Sequence, residues 1–114
     1  MASVYGTNNS ETINAFDGVT NGADTIFGFN GDDSIFGLGG NDEIKGGGGA
    51  DTINGGSGTD TANYSDSAEG VIVSLATGQG FGGTAEGDTL TSIENLTGSA
   101  YADWLTGNDG NNVL

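Results

Sequence analysis

Five aspartates, Asp24, Asp33, Asp42, Asp51 and Asp60, recur at intervals of nine residues along this chain. Each follows a glycine by two positions (Gly22, Gly31, Gly40, Gly49, Gly58) and precedes an apolar residue by two (Ile26, Ile35, Ile44, Ile53, then Ala62). Carboxylates in a fixed register can serve acid–base catalysis, hydrogen-bonded turns or the coordination of a hard cation. The chain has no His and no Cys, so a zinc site has no nitrogen or sulfur ligands to draw on. Tyr64, Ser65 and Asp66 form only a local polar cluster, and no nucleophile with an adjacent base stands out, so no enzymatic activity is expected. An isolated Asp-Thr-Ile reads as a solvated turn. Five in strict register require a further reason.

That register identifies the elements that must carry the aspartates. From Val19 the sequence falls into blocks of nine, VTNGADTIF, GFNGDDSIF, GLGGNDEIK, GGGGADTIN and GGSGTDTAN, without a slip to Asn63. One apolar residue in nine matches neither the 3.6 period of a helix nor the 2.0 period of an antiparallel strand. It matches a six-residue turn followed by a three-residue strand whose middle side chain points inward. The expected fold is all-β, a right-handed parallel β-roll (a β-solenoid) with two nonapeptides per coil and the isoleucines stacked in two facing ladders.

Such coils bring residues eighteen apart into register, Asp24, Asp42 and Asp60 on one edge and Asp33 with Asp51 on the other. At a coil spacing of about 4.8 Å, two carboxylates repel by roughly 3–4 kcal/mol at an effective dielectric near 20. A divalent cation between them reverses that sign. Alternate carbonyls of an extended turn point up and down the stack, so one turn offers its second and fourth carbonyls upward while the next offers its first and third downward. An all-oxygen, carbonyl-rich and flexible shell suits Ca²⁺ better than Mg²⁺, which holds to a strict octahedron and keeps its waters.

The bulk composition is consistent with a fold that needs metal. Of 114 residues 24 are Gly, 33% are apolar, and 16 acidic residues face one basic residue, Lys45, for a net charge of −15. Composition alone would allow disorder, but disorder has no need to keep aliphatics at fixed spacing. A nucleic-acid partner is excluded by the lack of a basic footprint. No stretch is apolar for the ~20 residues of a membrane span, and no charged-then-apolar leader opens the chain, so an export address is expected elsewhere or at an uncleaved C-terminus.

The repeat frays outside 19–63. GTNNSETIN (Gly6 to Asn14) carries Glu11 and Ile13 at the aspartate and isoleucine positions, before a four-residue insertion. Leu96, Leu105 and Leu114 lie nine apart, with Glu94, Asp103 and Asn112 two residues before them. Residues 1–114 are thus expected to form one roll domain, with regular nonapeptides at 19–63, an irregular β segment at 64–95 and weaker repeats at 6–14 and 96–114. Within the irregular segment Val71–Leu75 reads as β-rich and Gly78–Gly83 as a flexible turn or bulge, the whole being expected to form a pair of longer strands that thicken the core, with no site of its own. The last block stops one residue short, which predicts a longer array. Uncapped ends predict fraying of Gly107–Leu114 or end-to-end self-association, with Trp104 as an alternative cap for the last coil.

The blocks resemble the RTX (hemolysin-type) calcium-binding nonapeptide repeat, G-G-x-G-x-D-x-U-x with U a large aliphatic. In that family the ligands are the sixth-position Asp and turn carbonyls, several Ca²⁺ ions being bound. The resemblance implies that Thr20, Gly22 and Asp24 pair with Gly37, Gly39 and Asp42. It likewise implies that Phe29, Gly31 and Asp33 pair with Gly46, Gly48 and Asp51, and Leu38, Gly40 and Asp42 with Gly55, Ser57 and Asp60. Phe29 and Leu38 depart from the second glycine, which is expected to be tolerable only with negative φ, and Ala62 departs from the inward aliphatic. Two outer sites are expected, Glu11 with Asp33, and Gly47, Gly49 and Asp51 with the segment Tyr64–Glu69.

The resemblance further implies a secreted, extracellular bacterial protein exported by type I secretion, whose enzymatic domain, if any, lies elsewhere. The rival reading is an adhesive, ice-binding or carbohydrate-binding solenoid. The outward turn positions Asn21, Asn30, Gly39, Gly48 and Ser57 make no repeated face for it, whereas Tyr5, Phe16, Tyr101 and Trp104 offer aromatic surface.

Overall fold

The structure is a computed structural model that describes residues 2–14, 20–108, 110 and 112–114. Phe16, Val19 and the four-residue insertion lie outside the described residues.

Each block yields one short strand at the position the apolar residue requires. The strands of the regular blocks are β3 (Asp24–Phe27), β4 (Ser34–Phe36), β5 (Glu43–Lys45), β6 (Thr52–Asn54) and β7 (Thr61–Asn63). Before them come β1 (Ala2–Tyr5) and β2 (Thr12–Ile13). After them come β8 (Ile72–Ser74), β9 (Gln79–Phe81), β10 (Thr89–Thr91), β11 (Asn95–Thr97) and β12 (Trp104–Thr106). Odd and even blocks separate into two sheets, ordered β1-β3-β5-β7-β11 and β12-β8-β9-β10-β6-β4-β2. Ile26 pairs with Ile44, Ile44 with Ala62, and Ile35 with Ile53, all in parallel strands. The fold is a parallel β-roll.

The core is a narrow file between the two sheets. Val4, Ile13, Ile26, Ile35, Ile44 and Ile53 are buried, and they continue upward through Ala62, Val71, Val73, Leu90 and Leu96. Burying each large aliphatic contributes about 1.5–3 kcal/mol, but a file one residue wide offers few of them. Among the described residues no helix is long and apolar enough to cross a membrane.

Gly78–Gly83 is not a simple turn, because Gln79–Phe81 forms β9, antiparallel to both β8 and β10. Gly80 lets the turn that follows β9 fold back onto it, since a Cβ there would lie 2.7 Å from the Ala85 carbonyl oxygen. The chain leaves the roll after β7 and returns in register, with Leu90 over Ile53 and Leu96 over Ala62.

The top coil also differs from expectation. Trp104 does not cap it but points outward beside Ile72, 71% exposed. Leu105 packs against the core, while Leu114 is exposed and leaves the ladder. The last block stacks on β11 through Leu96 N–H to Val113 O (2.8 Å) and Val113 N–H to Asn95 Oδ1 (2.9 Å).

Candidate metal centre

The aspartates begin or immediately precede their strands, which places them in two vertical rows, one per edge. Asp24, Asp33, Asp42, Asp51 and Asp60 are all buried. In each row Oδ1 of one aspartate accepts the backbone N–H of the aspartate a coil earlier. The distances are 2.8 Å for Asp24 to Asp42 and 2.9 Å for both Asp33 to Asp51 and Asp42 to Asp60. The second oxygen is different. Oδ2 of Asp33, Asp42, Asp51 and Asp60 is buried without a hydrogen-bond partner. A buried, unpaired carboxylate oxygen is costly and rare unless something else satisfies it.

What faces those oxygens is repeated from coil to coil. A Cβ built on Gly37 would sit 2.6 Å from Asp42 Oδ2 and 2.7 Å from the carbonyl oxygen of Gly55 in the coil above. One built on Gly28 would sit 2.8 Å from Asp33 Oδ2 and 2.7 Å from the Gly46 carbonyl. At Gly28 and Gly37 the first residue of the turn must therefore be glycine to keep open a small cradle floored by a carboxylate and roofed by a carbonyl. Among the described residues no three His, Cys, Asp or Glu side chains cluster as a metal cage. A cation here must take most of its ligands from the backbone, a donor set that fits Ca²⁺.

The second and fourth turn positions present their carbonyls the other way. Gly22, Gly31 and Gly40 carbonyls lie against the turns one coil above, as do those of Phe29 and Leu38. The expectation of negative φ at Phe29 and Leu38 is incorrect, since φ is 63° and 70°, beside 79° and 84° at Gly47 and Gly56. In four successive regular turns the second position is left-handed, whether it holds Gly, Phe or Leu. Phe29 holds it while stacking near Phe27 and Tyr5, at 6.1 and 6.3 Å, and Leu38 packs on the core. Ser57 N–H donates to the Leu38 carbonyl at 2.9 Å, leaving that oxygen one lone pair. Gly39 stands over Asn21, and Gly48 over the Asn30 side chain. Thr20 departs from the pattern, donating through N–H (2.9 Å) and Oγ1 (2.8 Å) to the Asp24 carboxylate.

Three further carboxylates join the rows. Glu11 lies below Asp33 as expected, its N–H donating to Asp33 Oδ1 at 3.1 Å. Above Asp51 stands Asp88, not the Tyr64–Glu69 segment, with Asp51 N–H to Asp88 Oδ1 at 2.8 Å. Tyr64 enters from the side, its buried hydroxyl donating to Asp88 Oδ2 at 2.9 Å. Above Asp60 stands Glu94, whose Oε1 accepts the Asp60 N–H at 2.9 Å. The segment 64–95 thus supplies Asp88, Tyr64 and Glu94 to the edges of the roll, and the residue it sets over Asp51 comes from its far end and not from the expected Tyr64–Glu69. Gly87-Asp88-Thr89-Leu90 repeats the Asp-Thr-Ile signature, and this could have identified Asp88; its displacement from the nine-residue register concealed it.

Burial is the main cause of abnormal acidities here, with neighbouring carboxylates adding to it. The Asp33 carboxyl is pushed up to about 6, Asp60 and Asp88 to about 7, and Asp51 to about 8, with Asp42 also raised. Groups that bind protons more tightly when folded stabilise the fold fully below their unfolded pKa, and that stability is lost as pH rises through the folded value. In divalent-free buffer, β-structure should therefore be favoured near pH 5 and decline between about pH 6 and 8. Circular dichroism from pH 5 to 9 checks this, and β-content that grows with pH would contradict it.

A family model described as the RTX calcium-binding nonapeptide repeat matches residues 19–44, 27–62 and 88–114. No curated protein gives a significant match to the chain.

Proposed function

Because this chain belongs to the RTX calcium-binding nonapeptide repeat family, we propose that it is a module which folds as Ca²⁺ enters the cradles between its coils. Repeats of this family bind Ca²⁺, and several repeats imply several ions. The observation that supports the coupling is the set of buried Oδ2 atoms without partners at Asp33, Asp42, Asp51 and Asp60. Each cation would take aspartates from two stacked coils, together with second- and fourth-position carbonyls from below and first- and third-position carbonyls from above. One set is Phe29, Gly31, Asp33, Gly46, Gly48 and Asp51. Another is Leu38, Gly40, Asp42, Gly55, Ser57 and Asp60. In the lowest, Gly22 and Asp24 face Gly37, Gly39 and Asp42, and Thr20 must first release the Asp24 carboxylate.

Extracellular calcium modules respond at about 10⁻⁴–10⁻³ M Ca²⁺, so the chain would remain unfolded in a low-calcium cytosol and fold outside. That behaviour suits passage through a type I secretion channel and a role as part of a larger secreted bacterial protein. The module itself would do no catalysis.

Stacking order gives a direct test. Asp42 has aspartates both below and above it, whereas Ala2 stands opposite Asp24 on the other side, so the carboxylate row begins at Asp24. Asp42→Ala should remove two ions and Asp24→Ala one, counted by isothermal calorimetry with circular dichroism reporting the folded fraction. Equal losses in the two variants would show that the eighteen-residue stacking does not define the sites.

A further inference from the structure

The coil above Asp60 contains no nonapeptide, yet it reproduces the features that the repeats build. Six residues, 55–60, connect β6 to β7; only Ser92, Ile93 and Glu94 connect β10 to β11. Despite the shorter link, the Ser92 carbonyl oxygen closes on Gly55 as the Gly55 carbonyl closes on Gly37 and the Gly46 carbonyl on Gly28. Ser92 reaches that orientation with φ 55°, one of three positive values at non-glycine residues among the described residues, the others being Phe29 and Leu38 in the regular turns. Left-handed backbone at such residues is strained and persists where the surroundings demand it.

The carboxylates follow the same pattern. Glu94 Oε1 takes the Asp60 N–H, the role of Oδ1 in every regular coil. The Asp60 carbonyl anchors the short turn by accepting both Glu94 N–H (3.0 Å) and Asn95 N–H (2.9 Å). Glutamate's additional methylene spans the distance that three missing turn residues leave. Asp60 Oδ2 is fully buried and unpartnered, 2.6 Å from where a Gly55 Cβ would be. The opposite edge shares the unpartnered Oδ2, at Asp51, and the carboxylate over its N–H, at Asp88, but lacks the roofing carbonyl. The atoms nearest a Gly46 Cβ are those of the Asp51 carboxyl and Ile53, with no carbonyl among them, and Tyr64 already holds Asp88 Oδ2.

We propose that Asp60, Glu94 and the Ser92 carbonyl form an additional divalent-cation rung that the repeat motif does not encode, so that the Asp60 edge carries one ion more than its nonapeptides provide. This rests on the calcium reading of the regular coils. The test is ion counting by isothermal calorimetry with CaCl₂ on the whole chain, comparing wild type, Glu94→Gln and Glu69→Gln. Glu94→Gln should bind one ion fewer, and Glu69→Gln, an equal loss of charge away from the edge, should bind the wild-type number. An unchanged count in Glu94→Gln, or an equal fall in both variants, overturns the rung. Should Glu94→Gln fail to fold, a crystal structure of the calcium-loaded wild type decides, with Ca–O contacts of about 2.3–2.6 Å expected at Ser92 O and Asp60. Empty density there overturns the proposal. A wild type that binds no Ca²⁺ at all would instead refute the reading on which the rung depends.

Discussion

Chelating Ca²⁺ from the folded protein should abolish most of its far-ultraviolet β-signal, and Mg²⁺ at the same concentration should fail to restore it. The opposing terms are unequal enough to fix the direction. Without metal, each stacked carboxylate pair costs roughly 3–4 kcal/mol, and four buried Oδ2 atoms have no partner. Against this stands a core one side chain wide, in a chain with 24 glycines whose ordering is entropically expensive and a net charge of −15. Native domains retain only about 5–15 kcal/mol of net stability, so two or three uncompensated pairs suffice to remove it. Calcium reverses each pair and satisfies the orphan oxygens. Magnesium does not, because cradles built largely from carbonyls on fixed turns cannot give it a regular octahedron at about 2.0–2.1 Å. The measurement is circular dichroism in EDTA, then with added CaCl₂ or MgCl₂. A spectrum indifferent to EDTA would sink calcium-coupled folding.

The part of this architecture that was legible in the sequence is the part that obeys the period. Nine-residue spacing placed Ile26 over Ile44 and Ile35 over Ile53, and set the aspartates in two rows, because register in a solenoid follows from counting. What counting could not reach was the return of the chain after a detour. Leu90 sits over Ile53 and Leu96 over Ala62, offsets unrelated to nine, so Asp88 and Glu94 were not assigned to the rows. The antiparallel β9 was equally hidden, since Gln79-Gly80-Phe81 has weak strand propensity and is specified by close packing against β8 and β10. Backbone conformation was the third gap. Phe29 and Leu38 gave no indication of left-handed φ, because residues of these types rarely adopt it and the regular turns around them hold it. The N-terminal strand was concealed for a simpler reason: Val4 pairs with Ile26 across the insertion, outside any nonapeptide.

Gly37→Ala should cost an ion without removing a single ligand atom, whereas Gly48→Ala should cost none. Both substitutions keep the backbone carbonyl, and neither glycine has a positive φ, so local strain does not separate them. In a compatible conformation Gly→Ala stabilises by about 0.4–1 kcal/mol through the unfolded chain, which is the baseline for both variants. The difference lies in what the new methyl meets. At Gly48 the nearest atom is Asn30 Oδ1 at 2.9 Å, the end of a flexible side chain that can rotate away. At Gly37 it is Asp42 Oδ2 at 2.6 Å and the Gly55 carbonyl oxygen at 2.7 Å, the two groups between which the cation would lie. Overpacking of this kind costs about 1–3 kcal/mol, and neither oxygen can withdraw without giving up its place around the ion. Gly37→Ala should therefore need about tenfold more Ca²⁺ to fold, since about 1.4 kcal/mol is a factor of ten, and should bind one ion fewer by calorimetry. Gly48→Ala should fold at the wild-type calcium midpoint or slightly below it. If the two variants gave the same midpoint and the same ion count, the space beside the first glycine of the turn would not be where the cation sits.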